Sequence, residues 1–112
     1  MPKMMLLLKR KPGMTPQQFR EYYERSHVAL AYKYMGHLFA DYRRNYPLAV
    51  GEPTGEAPNP GLKDCPYDAV TEIWLRDEAA LEEMQRIIAD PKIGKIFMDD
   101  EEHFLDRPAL VI

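Results

Sequence analysis

The hydrophobic positions change period several times along the chain, and each change marks an element. Met4 to Lys9 opens with consecutive apolar residues, Met4-Met5-Leu6-Leu7-Leu8, as in a strand covered on both faces. Pro12-Gly13 breaks it. Thr15-Pro16-Gln17-Gln18 then supplies an N-cap, a proline at the first helical position and a capping-box glutamine, with Met14 and Phe19 placed for a hydrophobic staple. Phe19, Tyr22, Tyr23, Ser26, His27, Leu30 and Tyr34 recur at three- and four-residue steps, one face of a helix that can run to Met35 before Gly36 stops it. From Leu38 to Tyr46 the period falls to two, placing Leu38, Ala40, Tyr42, Arg44 and Tyr46 on one face of a second strand that Pro47 ends.

Residues 48–66 hold Pro53, Pro58, Pro60 and Pro66 with Gly51, Gly55 and Gly61, and read as a long irregular connection of the kind that often carries function. Tyr67 to Leu75 alternates most cleanly: Ala69, Thr71, Ile73 and Leu75 face one way, Asp68, Val70, Glu72 and Trp74 the other. Asp77 caps a second helix to Ala89, with Ala80, Leu81, Met84 and Ile88 inward. Asp90-Pro91 starts a further short helix carrying Ile93, Ile96 and Phe97, and Leu105 to Ile112 is expected as a last strand. The order β-α-β-β-α-β is that of a ferredoxin-like α+β domain, one domain over residues 1–112. Two helices cover only one face of such a sheet. The other would carry Val70, Trp74 and half of the apolar first and last strands, a patch that a second copy would cover in a homodimer.

Bulk composition narrows the function classes. A chain of 112 residues can bury a single core. Its net charge of −3, with one short basic cluster at Lys9-Arg10-Lys11, offers no broad attraction to nucleic acid or anionic lipid. The opening apolar run is too short for a membrane span or a signal-peptide core. With a lone cysteine, Cys65, no internal disulfide can form, and the expectation is a cytoplasmic protein that binds neither membrane nor nucleic acid.

Several segments resemble a known family. Met14-Thr15-Pro16-Gln17-Gln18-Phe19-Arg20-Glu21-Tyr22-Tyr23-Glu24-Arg25-Ser26-His27 closely resembles the first-helix signature of EthD-like proteins. Tyr67-Asp68-Ala69-Val70-Thr71-Glu72-Ile73-Trp74 resembles their third strand, and Asp100-Glu101-Glu102-His103-Phe104-Leu105-Asp106 their acidic turn into the last strand. The intervening Tyr42-Arg43-Arg44-Asn45-Tyr46 also fits. The resemblance implies a dimeric α+β barrel that is either an enzyme without an organic cofactor or, as the alternative, a non-catalytic, stress-associated barrel that binds a hydrophobic metabolite. It leaves open isomerisation, cyclisation, dehydration or an oxidoreductase reaction on a small apolar, oxygen-bearing substrate such as a lactone, polyketide or quinol. The chain departs from the family where Val28-Ala29 replaces the usual proline after the helix histidine, and in its long 48–66 connection. Both changes bear on substrate specificity.

Individual residues sharpen this expectation. From spacing alone His27 reads first as a core histidine bonded to a backbone carbonyl; the resemblance moves it to proton transfer, for which an imidazole is suited at neutral pH. Asp68 and Glu72 share a strand face with Trp74, so Glu72 is a second catalytic candidate and Asp68 and Trp74 are candidate substrate contacts. The plainer alternative leaves Asp68 at the rim and pairs Glu72 with Arg43 or Arg44. Tyr42, which falls on the face opposite Asn45, could donate to a carbonyl or enolate oxygen, and Tyr23 could wall the pocket beside His27. His27, His37 and His103 show no metal-ligand spacing, so no metal is expected. The run Asp99 to Glu102 reads as a solvated helix end, and Cys65 has no activating base in its surroundings.

Overall fold

Alternation along β3 decides where the layers lie. The computed structural model describes residues 1–47 and 65–112. Strands β1 (Lys3–Leu8), β2 (Phe39–Asn45) and β3 (Ala69–Leu75) form an antiparallel sheet in the order β1-β3-β2. Ala69, Thr71, Ile73 and Leu75 are buried under the helices, while Val70, Glu72 and Trp74 lie half-buried on the open face. The first helical stretch comprises α1 (Pro16–Tyr22), a π turn (Tyr23–His27) and α2 (Val28–Met35); after β3 come α3 (Glu78–Ala89) and α4 (Pro91–Glu102). This is the ferredoxin-like α+β arrangement that the periodicity predicts.

The caps fall where the residues place them. Thr15 Oγ1 accepts from the Gln18 N–H at 3.1 Å, and Gln18 Oε1 accepts from the Thr15 N–H at 2.9 Å, closing the capping box. Asp77 caps α3 through the Ala80 N–H, and Asp90 caps α4 through the Lys92 and Ile93 N–H groups. The turn between α3 and α4 needs Gly94, because a Cβ there would stand 2.7 Å from the Ile88 carbonyl oxygen. Helix α4 is longer than the short helix expected around Ile93, Ile96 and Phe97, running twelve residues to Glu102.

Two expectations are corrected. No regular fourth strand forms over Leu105–Ile112; the segment follows the free edge of β1 through two isolated bridges, Leu7–Val111 and Arg10–Leu105. Between them Arg107–Ala109 makes a 3₁₀ turn, since Pro108 has no N–H to give a ladder and its ring fixes φ. In β2 a register shift between Phe39 and Asp41 leaves Ala40 exposed and puts Phe39 opposite Leu75 instead. Beyond the bulge the alternation holds, with Tyr42 paired to Ile73 and Asn45 to Val70 on opposite faces. The connection expected over residues 48–66 lies, from 48 to 64, outside the described residues. Among the described residues no helix is long and apolar enough to cross a membrane.

Candidate functional site

Phe19, Tyr23, His27, Ala31 and Met35 follow one another at four-residue steps and face the sheet, all buried except the mostly buried His27. At 3.6 residues per turn, such a run would drift about 160° around an unbroken α-helix. The π turn, closed by a bond from the Val28 N–H to the Tyr23 carbonyl, absorbs one extra residue and removes about 100° of that drift. Tyr23 and His27 therefore stay over the sheet together with Ala31 and Met35. Turns of this kind recur where a helix carries a functional side chain.

His27 is held from behind by Asp100 on α4. Its Nδ1 lies 2.9 Å from Asp100 Oδ2, and the other carboxylate oxygen accepts from the Tyr22 hydroxyl and the Ser26 hydroxyl, each at 2.8 Å. Burial, and next the bond to Asp100, raises the Tyr22 pKa above its ordinary 10, so this phenol stays a donor. An ionised carboxylate can only accept, so Asp100 holds the proton of His27 on Nδ1 and leaves Nε2 as the basic nitrogen. Phe104 at 5.2 Å and Phe97 at 5.6 Å, ring centre to ring centre, fix the imidazole from the sides.

His27 lines a cavity of about 180 Å³ between sheet and helices. The floor of the cavity is hydroxylic. Tyr23 OH lies 2.6 Å from Thr71 Oγ1 and 3.3 Å from Tyr42 OH, and all three residues line the cavity. Two such contacts use two of the three hydroxyl protons and leave one for an acceptor oxygen in the cavity. Burial pushes the Tyr23 phenol above 10 and the Tyr42 phenol well beyond it, so both keep their protons at neutral pH. The remaining walls are mostly apolar, with Met84, Ile73 and Leu105 among them. Outside the cavity, Glu24 takes both arms of Arg44 at 2.8 and 2.9 Å and the Tyr46 hydroxyl, tying the π turn to β2; the Arg44 bonds hold its carboxyl below the usual range.

The residues singled out in the sequence separate into two groups. His27, Tyr23 and Tyr42 meet at the cavity. Glu72, Asp68 and Trp74 do not reach it, because period-two alternation sends them to the other side of β3. There Glu72 accepts from Lys3 at 2.9 Å and from Asn45 at 3.1 Å, neither of them the arginine expected, and these bonds lower its pKa. Asp68 binds the backbone N–H and guanidinium of Arg10 at 2.8 and 2.6 Å, and Trp74 lies between the cations of Lys3 and Arg43. The carboxylate that reaches His27 is Asp100, and the solvated helix end expected over Asp99–Glu102 is corrected at this residue, which is buried. The missed signal was present in α4: continuing the Ile93, Phe97 stripe by three residues reaches Asp100. Thr71, also unmarked, could be found only by crossing the buried face of β3 with the hydroxyls of Tyr23 and Tyr42.

Comparison with known proteins bears on the fold and the family. A search of curated proteins finds no match to the chain. Among solved structures, a hypothetical protein of Arabidopsis thaliana, determined in solution, superposes with a TM-score of 0.53 at 16% identity, covering 97% of this chain and 80% of the other. At that identity the likeness speaks for the fold alone. The family model described as the EthD domain matches residues 11–108, a span that holds the capped helix, His27, the hydroxyl floor and Asp100. The chain belongs to the EthD domain family.

Proposed function

We propose that this protein is an enzyme that moves a proton on a small, mostly apolar, oxygen-bearing substrate, using His27 as general acid and base. One observation carries the reading: a histidine fixed at Nδ1 by a buried carboxylate lines a cavity together with three hydroxyls. With the substrate oxygen over Tyr23, Tyr42 and Thr71, Nε2 can take a proton from the adjoining carbon. The C–H electron pair moves into the carbonyl, and the charge growing on oxygen receives the spare hydroxyl proton as a hydrogen bond. Asp100 stabilises the imidazolium, which returns its proton at the same or another position; this second step makes the outcome an exchange, an isomerisation or the start of a cyclisation. Glu72 has no part in this scheme.

Two copies are also proposed to pair through their open sheet faces. Met5 and Val111 are exposed there, and Leu7 and Val70 only half-covered.

The test uses cyclohexanone in heavy water and follows loss of its α-protons by NMR. Replacing His27 by alanine or asparagine should lower the protein-catalysed rate by about 10²- to 10⁴-fold, the usual span for a lost acid–base group. An asparagine variant that exchanges as fast as the parent would remove His27 from the mechanism and leave a cavity that only binds.

A further inference from the structure

We infer that the cavity selects uncharged molecules with a single ring and one acceptor oxygen, and rejects carboxylates and fused rings. The inference takes the site from the proposed function but concerns binding, and stands or falls separately from the chemistry.

Size sets the first limit. A dry protein cavity of about 150 Å³ accommodates benzene, and a water-sized group takes about 30 Å³ more. The 180 Å³ here therefore admits one six-membered ring with a small oxygen substituent, whereas ordinary ligand pockets begin near 300 Å³. Burial sets the orientation. Thr71 and Tyr23 are fully buried at the floor, while Ile88 and Ile112, 46% and 74% exposed, mark the mouth. The substrate's oxygen goes down to the hydroxyls, and only a flexible alkyl substituent can trail outward between the isoleucines.

Charge sets the second limit. Among the described residues that line the cavity there is no lysine or arginine. The one carboxylate among those described residues, Glu101, already pairs with Arg107, Nε to Oε2 at 3.3 Å. An anionic ligand would lose its hydration, find no lysine or arginine, and face Glu101, while the charge on Asp100 already offsets any charge on His27. A cationic ligand would find that carboxylate already engaged. Burying an unpaired ion is far more costly than burying a hydrogen-bonded carbonyl. Hydroxyl donors with one free proton suit a neutral acceptor.

The experiment compares four probes on the full chain at neutral pH by titration calorimetry and by ligand-to-protein NOEs: cyclohexanone, benzamide, benzoate and 2-naphthol. Cyclohexanone and benzamide should bind with NOEs to Tyr23 and Thr71. Benzoate, matched to benzamide in shape, should bind at least about ten-fold more weakly because its charge is unpaired. The fused rings of 2-naphthol should not compete. Thr71→Val should weaken cyclohexanone by about three- to ten-fold, as for one lost hydrogen bond; should that variant fail to fold, the NOEs on the parent protein carry the same information. Benzoate equal to benzamide, 2-naphthol displacing cyclohexanone, or no binding by either neutral ring overturns the inference. Cyclohexanone that binds at Thr71 but keeps its α-protons sustains the inference and refutes the proton-transfer reading instead.

Discussion

Replacing Asp100 by asparagine changes one atom's chemistry at the centre of the site. The carboxylate accepts three hydrogen bonds, from Tyr22, Ser26 and His27, at 2.8, 2.8 and 2.9 Å. A bond to an ionised acceptor contributes about 1.5–3 kcal/mol and a neutral one about 0.5–1.5, so three conversions cost about 3 kcal/mol. The asparagine side chain must also point its NH₂ at a former donor. Two hydroxyls share Oδ1 and a single imidazole uses Oδ2, so the amide oxygen stays with the hydroxyls and the NH₂ meets Nδ1. His27 must then accept at Nδ1 and carry its proton on Nε2, the nitrogen the reaction needs unprotonated. Asp100→Asn should thus lower the melting temperature by about 10–20 °C while leaving the protein folded at room temperature. It should also move the ¹⁵N resonances of the His27 ring from the Nδ1–H to the Nε2–H pattern. The proton-exchange rate of cyclohexanone should fall about as far as in His27→Asn. An unchanged melting temperature together with an Nδ1–H ring in the variant would refute this account of how His27 is held.

Three further outcomes follow from the structure. Thr15→Ala removes the acceptor for the Gln18 N–H and should cost about 1 kcal/mol in a urea titration, without altering cyclohexanone binding. Burial raises the pKa of Tyr23 and Tyr42 above 10, so the folded state holds these protons more tightly than the unfolded chain. The stability this represents is complete below pH 10 and is lost as pH rises beyond it; urea midpoints from about pH 8 to pH 11 should fall steeply at the alkaline end, and less so in Tyr42→Phe. Trp74→Glu places a carboxylate between Lys3 and Arg43, which can accept it within one chain but not against a second sheet. It should keep the circular dichroism of the parent and sediment as a monomer; a parent that is itself monomeric at micromolar concentration would end the pairing proposal.

What the sequence discloses depends on how local the determining physics is. The capped start of the first helix needs only Thr15, Pro16 and Gln18, and it stands where those residues put it. The two faces of β3 follow from alternation, and they hold over its whole length. The bulge at Ala40 and the loss of a regular last strand depend on how β2 meets β3 and on what Pro108 denies to β1, so neither is written in one segment's period. His27 was legible as part of a helix stripe, but its partner was not, because pairing across helices joins positions 73 residues apart. The carboxylates nearest the expected site in pattern, Asp68 and Glu72, are carried to the opposite side of the sheet by the same alternation that made them noticeable.

That separation has a functional consequence. His27, Asp100, Tyr23, Tyr42 and Thr71 all come from one chain and lie on the helix side of the sheet. Glu72 and Trp74, with the exposed Met5, lie on the side proposed to meet a second copy. A sheet one layer thick stands between them, and no described side chain of the open face lines the cavity. Pairing and chemistry should therefore be separable. A monomeric Trp74→Glu protein, with the floor residue Thr71 untouched on the same strand, should exchange the α-protons of cyclohexanone at close to the parent's rate per chain. If that monomer folds, binds cyclohexanone and has lost the exchange, the partner copy supplies something the single chain lacks, and the site must be redrawn across two chains.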